Sequence, residues 1–452
     1  MLKRKIINKM LEWKERSNGN TALMIDGARR VGKSFIVEEF AKRHYKSYII
    51  IDFYLQDKIV KDLFENEVVD LDNFFLLLQN YYHTELYERE SVIIFDEVQA
   101  YPRARSMIKY LVADGRFDYI ETGSLLSIKK NVENIIIPSE EESLKMYPLD
   151  FEEFLWAIGE KDLMDFIRQK FENKEQVGQA MHRKIMTLFR QYLIVGGMPQ
   201  AVVEYCKNKD FRRVDIVKRT ILKLYREDII KHAGKDAEKV LNVFDYIPAQ
   251  LQAQNKRFQL SDADGSTSAR YRNYEEALFW LKEAMTVNFC FNTTEPTVGL
   301  KSREDRTEFK CYMGDTGLLL SHTFGEKELM SQEIYNKILF DKLEFNNGFV
   351  MENVVAEMLK AAGNDLYYYA NSDKDAENRM EVDFLITKSK ITSRHNITPI
   401  EVKSSTKYTL TSLKKYNNKF HQQLSQSIVL HAGDLIEKDE ILYLPVYMTG
   451  LL

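Results

Sequence analysis

Between residues 21 and 123 the chain alternates short apolar runs with longer stretches of helical periodicity. The runs are "TALMID" (21–26), "SYIIIDF" (47–53), "SVIIFDE" (91–97) and "FDYIETG" (117–123). Helix-like segments lie between them at 34–45, around 71–88 and at 104–114. A strand with one wet face alternates apolar and polar residues, whereas a continuous apolar run fits a strand covered on both faces. Such runs separated by helices predict a parallel sheet with helices on both sides. Ahead of them, "MLKRKIINKMLEWKER" sets Ile6, Met10, Leu11 and Trp13 on or near one helical stripe.

From about residue 150 the pattern turns helical. "RRVDIVKRTILKLYREDII" (212–230) aligns Val214, Val217, Ile221, Leu224 and Tyr225. A helix at 274–284 carries Tyr274, Ala277, Leu278 and Leu281 on one side, and strand-like "TVNFCFN" and "EFKCYMG" follow it as a hairpin. From about 345 a helix (348–361) and strands at 366–370, 381–386 and 399–403 begin an α/β unit that "SLKKYNNKF" and "ILYLPVYM" close. The polar stretches "SDADGSTSAR" (261–270) and "NSDKDAEN" (371–378) read as loops.

A length of 452 residues suggests three domains at about 150 residues each. The 64 basic and 68 acidic residues leave a net charge of −4, so any nucleic-acid contact must come from a local patch. Cys206, Cys290 and Cys311 are scattered and form no C-x-x-C pair, which predicts buried thiols in a reducing compartment. The apolar runs "FFLLL" (74–78) and "SVIIF" (91–95) fall far short of the ~20 residues of a membrane span. The N-terminus has no apolar signal core, and the expected location is the cytoplasm, with no membrane partner.

"GARRVGKS" (27–34) fits G-x-x-x-x-G-K-[ST] between an apolar strand and a helix. Gly27 and Gly32 let the backbone curl around Ala28, Arg29, Arg30 and Val31 until its N–H groups face phosphate oxygens. The helix that opens at Lys33, Ser34 and Phe35 adds its positive end. Lys33 reaches the β- and γ-phosphates of ATP, and Ser34 offers a hydroxyl to Mg²⁺. "SVIIFDEVQ" (91–99) ends a buried strand on Asp96, placed to hold Mg²⁺. Glu97 follows, where it orients or deprotonates the attacking water. Thr122 or Ser124, at the end of the next strand, stands beside the γ-phosphate if the two strands are neighbours.

"GARRVGKS", "IIFDEVQAYP", "ETGSLL" and "YPLDFEEFL" (147–155), in this order, resemble the AAA+-type ATPases of bacteria and archaea with a C-terminal domain of unknown function. "YLIVGGMPQAV" (192–202), "YREDI" (225–229) and "DTGLL" (315–319) extend the resemblance over nearly the whole chain. It implies a sensor role for Thr122 or Ser124 and a nucleotide contact for Arg29. Relatives carry an arginine shortly before "YPL"; "IPSEEESLKMYPL" has none, so the arginine finger and the oligomer are left unassigned.

The helix and hairpin of the middle segment resemble a winged helix. Arg257, Arg270 and Arg272 stand just before that helix as candidate phosphate contacts.

Near the C-terminus lies "PIEVKSS". Glu-x-Lys occurs four times in the chain, at Glu12/Lys14, Glu172/Lys174, Glu308/Lys310 and Glu401/Lys403, so spacing alone says nothing. The first two pairs lie in helices, where residues two apart do not share a face. Glu308 and Lys310 share a strand face, but no acidic strand shortly precedes them. Glu401 and Lys403 also share a strand face. "EVDFLI" (381–386) precedes them with Asp383, and the helix at 348–363 supplies Glu352. Helical Glu, strand Asp, then strand Glu-x-Lys resembles the PD-(D/E)XK nuclease fold, although the proline before the aspartate is missing. In that reading Glu352, Asp383 and Glu401 hold Mg²⁺, and Lys403 positions water or stabilises phosphate charge. The other reading is a degenerate nuclease fold kept for binding, its carboxylates paired with Lys403.

The expected architecture is α/β: an AAA+-type P-loop core (1–150), a helical lid (151–235), a winged-helix-like domain (236–335) and a PD-(D/E)XK-like domain (336–452). The expected function is Mg²⁺-dependent ATP hydrolysis coupled to DNA-binding, nuclease-like domains. The alternative is an ATP-gated binding switch with an inactive nuclease-like domain.

Overall fold

The computed structural model describes residues 2–55, 58–67, 70–123, 139–253, 256–265, 270–297, 299–324, 335, 347–375, 377–387, 395–405 and 407–452. They form two compact units, Lys3–Tyr147 and Pro148–Leu452.

The first unit is built on five parallel strands: β1 (Ala22–Gly27), β2 (Ser47–Asp52), β3 (Ser91–Asp96), β4 (Asp118–Gly123) and β5 (Glu141–Met146). Their order across the sheet is β2-β3-β4-β1-β5. Every residue of the three central strands is buried, including Asp118, Glu121 and Thr122 on β4, while β2 and β5 at the edges are partly wet. The longer helices of the unit are α1 (Ile6–Ser17), α2 (Lys33–His44), α3 (Leu71–Tyr82) and α4 (Pro102–Asp114). Ile6, Met10 and Trp13 form the buried stripe of α1, and the indole N–H of Trp13 donates to Thr21 Oγ1 at 3.1 Å. Asp70 starts α3 by accepting the N–H groups of Asp72 and Asn73.

The second unit opens with helices α5 (Phe151–Ile158), α6 (Leu163–Glu172), α7 (Gln179–Val195), α8 (Pro199–Asn208), α9 (Phe211–His232), α10 (Ala237–Gln252) and α11 (Tyr271–Glu283). Strands β6 (Val287–Thr293) and β7 (Glu304–Met313) form the expected antiparallel hairpin, followed by α12 (Thr316–Thr323) and α13 (Asn347–Ala361). Then come β8 (Tyr367–Asn371), β9 (Met380–Thr387), β10 (Ile397–Val402), α14 (Thr411–Phe420), β11 (Ser427–His431), β12 (Ile436–Lys438) and β13 (Ile441–Pro445).

One mixed sheet, in the order β12-β13-β11-β10-β9-β8-β6-β7, takes in all eight strands found among the described residues of this unit. The sheet therefore has strands on both sides of the boundary expected between residues 335 and 336. The hairpin joins the later strands because β6 pairs parallel with β8 (Phe291↔Tyr367, Asn292↔Tyr368). The helices expected as a lid also belong to this compact unit.

A buried polar junction ties its parts together. Asp315 starts α12 by accepting the N–H of Leu318 at 2.7 Å, and its other oxygen accepts the N–H of Gly197 at 2.6 Å. A Cβ at Gly317 would come within 2.6 Å of Gly196 Cα, so "GGMP" and "DTGLL" are glycine-bearing because their backbones touch. On α13, Asn353 bonds both the N–H and the carbonyl of Met313, and Glu357 accepts from the backbone and hydroxyl of Thr316. Cys290 and Cys311 are buried and Cys206 is half-buried, with no disulfide among them. Among the described residues no helix is long and apolar enough to cross a membrane.

Candidate functional site

In the first unit, β1 leads through Ala28–Gly32 into α2. Gly27 is required by packing, since a Cβ there would sit 2.4 Å from the Met146 carbonyl oxygen. Gly32 is required by conformation, with φ of 95°. Arg30 also adopts a left-handed backbone, φ 70°. Ala28 and Val31 are buried, while Arg29, Arg30, Ser34 and Phe35 are exposed. Lys33 folds back onto its own loop, donating to the carbonyls of Gly27 at 2.8 Å and Ala28 at 3.2 Å. Burial lowers its pKa, while Glu97, Asp26 and Asp96 pull the other way. Beneath the loop, Arg4 donates to the carbonyls of Val31 at 3.1 Å and Tyr147 at 2.6 Å. This buried arginine had no signal in the sequence beyond its place ahead of α1.

Asp96 ends β3 where two hydroxyls reach it. Ser34 Oγ donates to Asp96 Oδ1 at 2.7 Å, and Thr122 Oγ1 donates to the same oxygen. Thr122 also accepts the N–H of Glu97 at 3.1 Å. These contacts follow from strand order. β4 lies between β1 and β3, so Thr122 sits between the loop strand and the Asp96 strand. Glu97 leaves β3 in a left-handed turn, φ 53°, and its carboxylate accepts from Gln99 Nε2. Ser34 and Asp96 are thus a hydroxyl–carboxylate pair of the kind Mg²⁺ takes. Ser124 lies outside the described residues.

In the second unit, adjacent strands β9 and β10 bring Asp383 and Glu401 together, the register passing through Phe384↔Ile400. Asp383 Oδ2 accepts the N–H of Val402 at 2.8 Å. Lys403 Nζ donates to Glu401 Oε1 at 2.6 Å, and Glu401 Oε2 is buried without a partner. Burial, with Asp383 adding to it against Lys403, pushes the Glu401 carboxyl up to about 7. Glu352 on α13 is bonded to Lys256 through one oxygen and accepts the Tyr312 hydroxyl at 3.2 Å on the other.

Further residues stand beside these. Lys310 pairs with Glu381 at 2.6 Å and approaches Asp383 at 3.8 Å. Its ammonium lies over the Tyr368 ring, 4.9 Å from the centroid. Burial alone would lower the pKa of Lys310, but Glu381 and its neighbours outweigh that and raise it. Lys310 gives a lower pKa to Glu381 in return. The Glu308-x-Lys310 spacing was the available signal. No acidic strand shortly precedes that pair; the acidic strand that Lys310 meets, β9, comes later in the chain. Among the described residues no three His, Cys, Asp or Glu side chains converge as a metal-holding group. Of the three candidate arginines, Arg257 pairs with Glu308 at 2.6 Å, while Arg270 and Arg272 are exposed at the start of α11.

Three family models match the chain: an AAA domain over residues 19–155, a domain of unknown function (DUF8612) over 186–328 and a domain of unknown function (DUF4143) over 347–448. No curated protein matches. Solved structures similar to the chain include the Aeropyrum pernix ORC2 protein in ADPNP–ADP complexes, 13% identical over 75% of this chain and 92% of that one, with a TM-score of 0.35. The Thermotoga maritima RuvB Holliday junction branch migration motor is 13% identical over 63% and 89%, with a TM-score of 0.30. The Aeropyrum pernix ORC1 protein in complex with DNA is 11% identical over 72% and 92%, with a TM-score of 0.25. Likenesses this distant bear on neither the fold nor the chemistry of this chain. The family matches, the loop and the parallel sheet agree: residues 19–155 are an AAA domain of the AAA+ P-loop ATPase type, and the chain carries a DUF4143 domain toward its C-terminus.

Proposed function

We propose that the first unit hydrolyses ATP with Mg²⁺ and that its nucleotide state acts on a DNA-directed second unit. One observation carries the first part: Ser34 and Thr122 both donate to Asp96, beside a loop that already holds Lys33. In the nucleotide complex, Lys33 exchanges the carbonyls of Gly27 and Ala28 for phosphate oxygens. The loop N–H groups and the start of α2 bind the remaining phosphate charge. Ser34 and Asp96 would hold Mg²⁺, which supplies neutralisation of the β- and γ-phosphate charge. Glu97 takes the proton of the attacking water, and Gln99 and Thr122 keep that turn in place. Lys33→Ala is expected to abolish Mg²⁺-dependent phosphate release. Undiminished turnover in that variant would sink the assignment.

For the second unit we read residues 336–452 as nuclease-like, beside a winged-helix-like segment, with DNA as the partner. A second reading, a switch that holds DNA or protein without cutting, is favoured by the pairing of Glu352, Asp383 and Glu401 with groups of the chain itself. Labelled duplex, nicked and branched DNA incubated with Mg²⁺ or Mn²⁺ separates them. Cleavage that Asp383→Ala removes supports the nuclease; DNA retention without cleavage supports the switch.

A further inference from the structure

We infer that Lys256 and Lys310 are built-in counter-cations, standing where the nuclease-like fold would need a divalent metal. The inference rests on the nuclease-like reading of the second unit. Neither lysine belongs to the helix, strand and Glu-x-Lys set of that reading. Lys256 precedes α11, and Lys310 lies on β7, the edge strand of the sheet. Yet Lys256 bonds Glu352, and Lys310 pairs with Glu381 and approaches Asp383. Lys310 is fully buried, and an ammonium in such a place is tolerable only with anions beside it. Its position is therefore set by this cluster.

The donor set does not fit a divalent ion. Mg²⁺ demands a near-octahedral shell of oxygens. Here Lys256 and Tyr312 occupy Glu352, Val402 N–H occupies one oxygen of Asp383, and Lys403 occupies one oxygen of Glu401. Only Glu401 Oε2 is buried and unpartnered among these carboxylate oxygens. Three ammoniums at short range would repel a doubly charged ion, and that repulsion is strong where solvent is excluded. Four carboxylates facing three lysines already come close to neutrality. We derive no hydrolytic step through a metal at this centre.

The test is Mn²⁺ binding to the full chain without nucleotide, followed by the loss of the free-ion spectrum. Wild type is expected to bind Mn²⁺ no better than Asp383→Asn. Lys256→Met combined with Lys310→Met is expected to gain a Mn²⁺ site at least about tenfold tighter than any in wild type, and Glu401→Gln is expected to remove it. Wild-type binding that Asp383→Asn abolishes would overturn the inference. So would a folded lysine double variant that gains no site. If that variant fails to fold, Lys256→Gln, which keeps a donor toward Glu352, replaces it, and the wild-type comparison still decides. The DNA assay reports separately on the second unit: retention without cleavage supports the switch and cleavage that Asp383→Ala removes supports the nuclease, even if the Mn²⁺ result goes against the lysines.

Discussion

Thr122 shows how much one hydroxyl can be asked to do. It donates to the carboxylate of Asp96 and accepts the backbone N–H of Glu97, so it fixes both ends of the turn that bears the proposed base. Thr122→Val keeps the shape and removes both bonds. We expect turnover to fall by roughly tenfold to a hundredfold with little change in ATP affinity, read from steady-state kinetics beside a nucleotide-binding titration. An equal loss of binding would place the threonine in the scaffold alone. That Lys33 and Ser34 open a helix after a glycine loop and that Asp96 ends a strand was legible in the sequence, because each placement is local; their meeting depends on strand order. Lys310 was not legible, because its partners depend on how distant strands share one sheet face. Arg4 was not legible because its partners, the carbonyls of Val31 and Tyr147, lie far from it along the chain.

Between elements, the first unit buries a carboxylate that the apolar pattern of "FDYIETG" conceals. Glu121 on β4 is fully buried, with Arg105 of α4 at 3.7 Å and Glu141 of β5 sharing that arginine. Burial raises the Glu121 pKa well above its ordinary 4.5, Glu141 adds to this, and Arg105 opposes it. The folded state thus keeps a proton that the unfolded chain releases above pH 4.5. Stability from this group is present below that pH and is lost as pH rises toward the folded pKa. Glu121→Gln is expected to be near neutral at about pH 4 and to stabilise by about 1–3 kcal/mol at about pH 8, measured by urea unfolding. A difference independent of pH would contradict this. At this scale the mainly apolar runs of residues 21–123 mark four of the parallel strands, whereas β5, polar and partly wet at the edge, carries no such run. The hairpin of β6 and β7 was also legible. The pairing of β6 with β8 was not, because a parallel partner is reached by a long crossover and leaves no turn signature.

For the whole molecule, the question is whether nucleotide in Lys3–Tyr147 is felt in Pro148–Leu452. A ligand that binds only the folded form adds about 2.7 kcal/mol at a hundred times its Kd. Hydrogen exchange with ATP and Mg²⁺ is therefore expected to slow at residues 27–34 and 91–97. The switch reading requires exchange to change within 148–452 as well. Exchange unaltered throughout that range would end the coupling while leaving the ATPase assignment untouched. Helix followed by hairpin reads as a separate small domain, and only the ladder between Phe291 and Tyr367 shows that its strands belong to a larger sheet.

That ladder also has a consequence during synthesis. β6 and β7 leave the ribosome well before β8, and the two can close on each other at once. The opposite side of β6 must then wait with its N–H and C=O groups unpaired until the strand carrying Tyr367 emerges. Neighbouring nascent chains on one messenger would offer the same open edge to each other. The interval between the two strands is thus a stage of translation at which this edge is open to misassembly, and slower elongation there would prolong it.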